Sequence, residues 1–536
     1  MCIIRTVLAL LLAALALQAQ ILQTSDQIYR RLTQFQTVDV LSMSVRMLRD
    51  NTNAGAGVKA EAEKLSGEAT KHLRAGDTGD ARRKLLHCIA VLRGLPWNEL
   101  EQYIGSLTLR TDTTIADSSA PFTAQLTQSY RQRFTASDTL QLHIWLSGAA
   151  TASPGGNPAT AAKVVQDIGV YPLYSRDLID QPFRFDAALN SLPDGSYQLM
   201  GEVLEGKASI GTIGWIPVTL VRGLQSRQAV IEQRLASILG HESAKATIRY
   251  PFDLARTINL VQRDPVSFDF PQGILNSEKL LQALQSGTDP LWRARGDHKR
   301  HYWFAEAREI MPYRVYVPES WNGRSKLPLM MMLHGGGGDE DSSMDQNDGQ
   351  LPKLAEQHGY IVVSPLGYRP LGAYGNPMML PAVFGNPTRE GRAVGDERRK
   401  RMLELSEKDV MNVLELVADE YGINRSRIYL AGHSMGSGGT WHLGAKYAET
   451  WAALAPLSGP FVYEDYPFER IKKMPIFYTE GTGATPSLEG SRVLARYLKE
   501  KGFNAIYMEV DGTHGSMVEM VMPKVFEFFD QLLHRQ

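Results

Sequence analysis

The sequence predicts a multidomain chain whose C-terminal part is a doubly wound, mostly parallel α/β sheet, preceded by a helical segment and a small β-sandwich. Three observations carry this. After Arg300, short apolar runs alternate with helical stripes, as parallel strands covered by helices on both faces require. Between Leu140 and Leu146 apolar residues recur at every second position, which gives a strand one buried face. From Thr24 to Gln102 they recur every three or four positions, as on helices that bury one stripe.

A chain of 536 residues is longer than one core fills, so several cores are expected. Hydrophobic residues at 43% and charged residues at 21% fit a folded chain and exclude a disordered or fibrous one. The 57 Lys and Arg nearly cancel the 58 Asp and Glu, so no bulk field gathers nucleic acid or an anionic membrane. Neither is an expected partner.

Taken in order, residues 1–19 read as an export signal: Arg5, an apolar run from Thr6 to Leu17, then a small-residue exit at Ala16 to Ala19. The run is too short to span a bilayer. The expected address is therefore secreted or periplasmic, with no membrane span once the signal is removed. Removal also takes away Cys2 and leaves Cys88 alone, so no internal disulfide is expected. Residues 20–105 form the helical N-terminal region, where Leu85, Leu86, Ile89 and Leu92 make one stripe before a break at Gly94-Leu95-Pro96. Asn51 to Gly57 reads as a loop between helices.

Residues 106–222 are expected to form the sandwich. Leu140, Leu142, Ile144 and Leu146 mark one strand, and Pro193-Asp194-Gly195-Ser196-Tyr197 introduces another. Asp-Gly followed shortly by Tyr resembles the tyrosine corner of immunoglobulin-like sandwiches, in which the phenol bonds back to the backbone. A spacer or packing role is the simplest for this part. Residues 223–299 return to helix and loop, with Ala229, Ile231, Leu235 and Leu239 as a stripe ended by Gly240. No repeat of 40 to 50 residues suggests a propeller.

In residues 300–536 strands are expected at Leu327 to Leu333, Tyr360 to Ser364, Ile428 to Ala431, Ala452 to Leu457, Pro475 to Thr479 and Ala505 to Val510. One helix among them is expected to start on Ser406 with Asp409 as its cap and to bury Val410, Val413, Leu414 and Val417. The chemistry concentrates where Ile428-Tyr429-Leu430-Ala431 runs into Gly432-His433-Ser434-Met435-Gly436. A G-x-S-x-G turn between a buried strand and a helix lifts its serine above the sheet edge, where the helix N-terminus favours developing negative charge. Ser434 is the candidate nucleophile. A serine hydroxyl needs a base, and His514, in the loop after the last strand, is placed to supply it. His442, His534 and His433 are placed less well. Upstream, the strand ending at Leu333 opens into His334-Gly335-Gly336-Gly337-Gly338. A backbone N–H from Gly336 or Gly337, together with that of Met435, would form an oxyanion hole.

These stretches resemble the esterase and prolyl-oligopeptidase-like branch of the α/β-hydrolases, which includes feruloyl esterases and polyhydroxybutyrate depolymerases. The resemblance rests on Leu333-His334-Gly335-Gly336-Gly337, Arg427 to Gly436 with Gly439-Thr440-Trp441, Ala452 to Gly459, and His514-Gly515. It covers under half the chain. It implies acyl transfer to water through a covalent acyl-enzyme, with neither metal nor organic cofactor, acting on a small-molecule or polymer-linked ester. It also implies an aspartate a few residues past the strand that ends near Thr479, where this chain has Ala484. Glu480 is the substitute candidate for the acid of a Ser-His-acid triad, with Glu489 and Asp465 as rivals. The insert from Leu366 to Arg401, carrying Tyr368, Arg369, Tyr374 and Phe384, is expected to overhang the site. Two alternatives stand beside the secreted esterase: a serine peptidase of the prolyl-oligopeptidase type, and a non-catalytic binding protein on a degenerate hydrolase fold, motivated by the missing aspartate.

Overall fold

The computed structural model describes residues 38–533, apart from 52–53, 133–138, 149–162, 174–177, 261, 264–265, 378–392, 484 and 486. The expected export signal, Phe384, Ala484 and His534 lie outside the described residues. No described helix is long and apolar enough to cross a membrane. The chain divides into two compact units, one holding residues 233–254 and 276–533, the other 38–232 and 255–275.

The unit that comes first in the chain opens with helices α1 (Val38–Asn51), α2 (Ala56–Arg74), α3 (Thr78–Arg93) and α4 (Glu99–Ser106). The Asp77 carboxylate accepts the Asp80 N–H at the start of α3, and Gly94 closes it in the left-handed conformation, which glycine adopts without steric cost. Leu85, Leu86, Ile89 and Leu92 are buried with Leu41, Val45 and Leu65 in one cluster.

Eight strands follow: β1 (Leu107–Thr111), β2 (Ile115–Asp117), β3 (Phe122–Gln128), β4 (Leu140–Gly148), β5 (Val164–Pro172), β6 (Phe183–Ala187), β7 (Gly195–Glu205) and β8 (Ala208–Val221). They build a three-stranded sheet ordered β1-β3-β6 and a five-stranded sheet ordered β2-β8-β7-β4-β5. All pairs are antiparallel except β2 with β8. One hydrophobic cluster draws Leu109, Phe122, Leu126 and Phe185 from the first sheet and Leu142, Ile144, Leu199 and Val218 from the second. The Tyr197 hydroxyl donates to the Pro193 carbonyl at 2.8 Å, the backbone bond that the Asp-Gly-x-Tyr stretch leads one to expect. Helices α5 (Leu224–Leu235), α6 (Glu242–Asn259) and α7 (Phe270–Gln285) come next.

The other unit is built on eight strands: β9 (Gly296–Phe304), β10 (Glu309–Val317), β11 (Leu329–Leu333), β12 (Ile361–Pro365), β13 (Ile428–His433), β14 (Ala453–Leu457), β15 (Ile476–Gly481) and β16 (Ala505–Val510). Their order across the sheet is β16-β15-β14-β13-β11-β12-β10-β9. Pairing from β12 through β16 is parallel, while β10 is antiparallel to both β9 and β12. Simple alternation of strand and helix from Arg300 on is thus corrected at the start, where a hairpin forms one edge. Successive side chains of β11 point to opposite faces, so Met331 and Leu333 enter one core and Met330 and Met332 the other.

Helices α8 (Ser342–His358), α9 (Ala393–Tyr421), α10 (Met435–Lys446), α11 (Leu488–Glu500) and α12 (Met517–Leu533) complete this unit. Val410, Val413, Leu414 and Val417 of α9 share the core of Met331, whereas Val518, Val521, Val525 and Phe528 of α12 share that of Met330. The expected cap at Ser406 and Asp409 is not one, because α9 already runs from Ala393. Both side chains instead hold the segment after β12, and Asp409 also reaches β9: Ser406 Oγ accepts the Tyr374 N–H at 2.9 Å, and the buried Asp409 carboxylate accepts the Tyr368 N–H and the hydroxyl of Tyr302 in β9. At the hairpin edge the buried Arg300 guanidinium reaches both carboxylate oxygens of Glu420, each at 3.0 Å, tying β9 to α9.

Candidate active site

The carboxyl ends of five adjacent strands, β11, β13, β14, β15 and β16, supply the site. β13 passes into α10 with Ser434 alone between them, at φ 57° and ψ −114°. Such a backbone state persists only where the surroundings enforce it. The flanking glycines do so: a Cβ at Gly432 would stand 2.3 Å from the Gly436 carbonyl oxygen, and one at Gly436 would stand 2.2 Å from that of Leu333. Only hydrogen fits at either position. The hydroxyl of Ser434 is thereby presented at the amino end of α10.

His514, in the loop between β16 and α12, places Nε2 2.9 Å from Ser434 Oγ. Its ring is 2% exposed, and burial draws its pKa down to about 4, so at neutral pH it is an uncharged acceptor. His433 supports it from below. The His433 Nε2–H donates to the backbone carbonyl of His514 at 2.7 Å, and burial, reinforced by the facing His514, draws its own pKa to about 3. His442 does not approach Ser434; its Nε2 pairs with Glu407 at 3.0 Å.

The acid requires a correction. Glu480 is fully buried at the end of β15 but does not bond to the imidazole. Between them stands Ser458, at the end of β14, whose Oγ lies 2.7 Å from His514 Nδ1 and 2.5 Å from Glu480 Oε1. The remaining donors to Glu480 are the Gly481 N–H on Oε1 at 3.1 Å, and Ser487 and Ser491 on Oε2 at 2.9 and 2.5 Å. The rivals fall away, since Asp465 is exposed and Glu489 lies on the open face of α11, paired with Arg492. Ser458 went unsuspected in the sequence. Its only signal there is its place in Leu457-Ser458-Gly459, directly after a wholly apolar strand.

Of the two candidate oxyanion glycines, Gly337 is excluded because its N–H donates to the Pro370 carbonyl at 2.8 Å. Gly336 faces the start of α10: a Cβ placed on it would come within 3.8 Å of Met435 Cβ. Met435 is the first residue of α10, where no preceding helical carbonyl is available to accept its N–H. Tyr374 does not overhang the site. It is fully buried, and its hydroxyl bonds to the His334 carbonyl at 3.2 Å, fixing the glycine loop from beneath. Arg369 is turned onto Glu309 at 2.7 Å. Together, a hydroxyl on a strained turn, a neutral imidazole as acceptor and amides beside them can carry acyl transfer.

No protein-family model matches the chain. A stretch of 186 residues is 30% identical to a bifunctional acetylxylan esterase/xylanase of Neocallimastix patriciarum, and makes up 35% of this chain and 22% of that protein. The chain thus spans about a fifth of the length of this curated relative. Among solved structures, a fluorophosphonate-binding serine hydrolase of Staphylococcus aureus is 16% identical, with 44% of this chain and 98% of that chain covered at a TM-score of 0.33. A thermostable esterase is 16% identical, with 80% and 99% covered at 0.34. A ferulic acid esterase of Anaeromyces mucronatus is 17% identical, with 44% and 89% covered at 0.33. Likenesses this distant say nothing about substrate.

Proposed function

From the α/β-hydrolase fold of its C-terminal part, with the nucleophile turn at the end of a central strand, we propose that this chain hydrolyses carboxylic esters through an acyl-enzyme on Ser434. The observation that carries the reading is the 2.9 Å approach of Ser434 Oγ to His514 Nε2. In the first half-reaction Nε2 takes the hydroxyl proton while Oγ bonds to the ester carbonyl carbon. The carbonyl oxygen becomes an oxyanion facing the Met435 and Gly336 N–H groups. Collapse expels the alcohol, which leaves with the proton from Nε2, and the acyl group stays on Ser434. Water then attacks the acyl carbon, gives its proton to Nε2, and the acid departs as Ser434 recovers that proton. The balance is one ester and one water in, one acid and one alcohol out.

Ester-decorated polysaccharide is the substrate class proposed, supported by the stretch similar to an acetylxylan esterase and by the feruloyl-esterase resemblance of the sequence. The signal-like N-terminus supports action outside the cytoplasm, and N-terminal sequencing of the exported chain should begin near residue 20. A propeller-gated peptidase has no support in the sheets of three and five strands that the first unit forms among the described residues.

The test is labelling with a fluorophosphonate, read beside turnover of p-nitrophenyl acetate, methyl ferulate and a proline-linked amide. Ser434 should label, the esters should turn over faster than the amide, and Ser434→Ala and His514→Ala should each lose about 10³-fold or more in kcat. Amide preference, or an unlabelled Ser434 in the folded chain, would refute the proposal.

A further inference from the structure

We propose that Ser458 is the positioning residue for the base: it orients the His514 imidazole and conveys the charge of Glu480 to it, so that no carboxylate touches the histidine. This rests on the ester-hydrolase reading above.

Proton accounting fixes the arrangement. A carboxylate only accepts hydrogen bonds, and Ser458 has one hydrogen to give. The 2.5 Å contact with Glu480 Oε1 therefore takes the Ser458 hydrogen. Ser458 Oγ can then only accept from His514 at 2.7 Å, so the ring proton sits on Nδ1. That leaves Nε2 bare, facing the Ser434 hydroxyl at 2.9 Å. The four groups form one line of donors running from Ser434 to Glu480, and reversing any link would leave two acceptors facing each other. Bonds aligned in this way polarise one another in a dry setting, and Ser458, Glu480 and Ser491 are all at 0% exposure.

The hydroxyl is also held in place. Ser458 sits at φ 56°, its N–H donates to the Thr479 carbonyl at 2.9 Å, and the carbonyl of the next residue, Gly459, accepts from Ser437 Oγ and Trp441 Nε1 of α10. The helix that carries the nucleophile thus also anchors the turn that carries Ser458. The residue after Glu480 cannot carry a side chain of its own, since a Cβ at Gly481 would stand 2.4 Å from the Gly512 carbonyl oxygen. When the imidazole takes the nucleophile's proton, its Nδ1–H bond to Ser458 strengthens and the Glu480 charge stabilises the cation through the shared hydroxyl. No proton passes beyond Nδ1.

The experiment compares the full chain with Ser458→Ala, Ser458→Gly and Glu480→Gln, measuring kcat, KM and the pH dependence of kcat/KM on p-nitrophenyl acetate. Ser458→Ala should lower kcat about 100-fold with KM within about threefold. Ser458→Gly suits the positive φ and leaves space for a water to bridge Nδ1 and Oε1, so it should recover about tenfold of that loss. Glu480→Gln and Ser458→Ala should both move the acid limb to lower pH, because each removes support for the cation that His433, Ser434 and the backbone do not replace. A merely structural role would lower stability and leave the acid limb in place. The proposal is overturned if Ser458→Ala keeps kcat within about threefold of wild type, or if Ser458→Gly is no better than Ser458→Ala. A wild-type chain that neither labels nor turns over ester would instead bring down the hydrolase reading on which this one stands.

Discussion

Protonating His514 should silence the proposed ester hydrolysis, and burial sets the pH at which this happens. With the ring 2% exposed and its pKa drawn to about 4, the folded protein favours the neutral form by roughly 3 kcal/mol relative to an exposed histidine of pKa ≈ 6.5. The active base is the neutral ring, so activity is complete well above the lowered pKa and is lost as pH falls through about 4. At pH 5.5 about 97% of the chains should hold a competent base, against roughly a tenth for an unperturbed histidine. The assay is kcat/KM for p-nitrophenyl acetate from pH 3.5 to 8, corrected for background hydrolysis and read at the isosbestic wavelength of the phenol. A midpoint near pH 6 to 7 would refute the reasoning, because it would mean that water or a direct charge stabilises the imidazolium after all.

Gly436→Ala should lower turnover by about 100-fold and stability by about 2 kcal/mol or more, since the new methyl meets the Leu333 carbonyl oxygen at 2.2 Å; fluorophosphonate labelling at the wild-type rate would contradict this. Arg300→Ala should cost about 3 to 5 kcal/mol in urea unfolding, because it leaves Glu420, 8% exposed, buried without its partner; a loss under about 1 kcal/mol would show that the carboxylate finds water. Leu142→Ala, at 1% exposure between the two sheets of the first unit, should cost about 2 to 5 kcal/mol, measured as a shift in the unfolding transition of that unit.

What could be read from the sequence follows from how local each cause is. Wholly apolar runs such as Leu329 to Leu333 and Ala453 to Leu457 declare strands buried on both faces. The G-x-S-x-G turn declares itself too, because it follows an apolar strand directly and Gly432 answers to the Gly436 carbonyl four residues on, although the need for Gly436 itself comes from Leu333, far back in the chain. The hairpin edge does not. β9 reads Gly-Asp-His-Lys-Arg-His-Tyr-Trp-Phe, and its charges are met by non-local partners: Asp297 by Arg314, Lys299 by Glu340 and Asp341, and the buried Arg300 by Glu420 on a helix 120 positions later. Ser406 and Asp409 look like a cap by local chemistry, yet their partners are Tyr374, Tyr302 and Tyr368, brought in by tertiary packing. Glu480 could be picked out as a carboxylate at a strand end, but its separation from His514 could not. The intervening hydroxyl comes from β14, and nothing in the spacing of 458, 480 and 514 announces that three strand ends meet there.

The contact between Ser434 and His514 joins positions 80 apart in the chain, and β14 and β15 lie between the strands that present them. Chain segments so remote meet only after the intervening strands have taken their register. During refolding from urea, reactivity of the serine should therefore return later than helical ellipticity, making the nucleophile a clock for completion of the sheet.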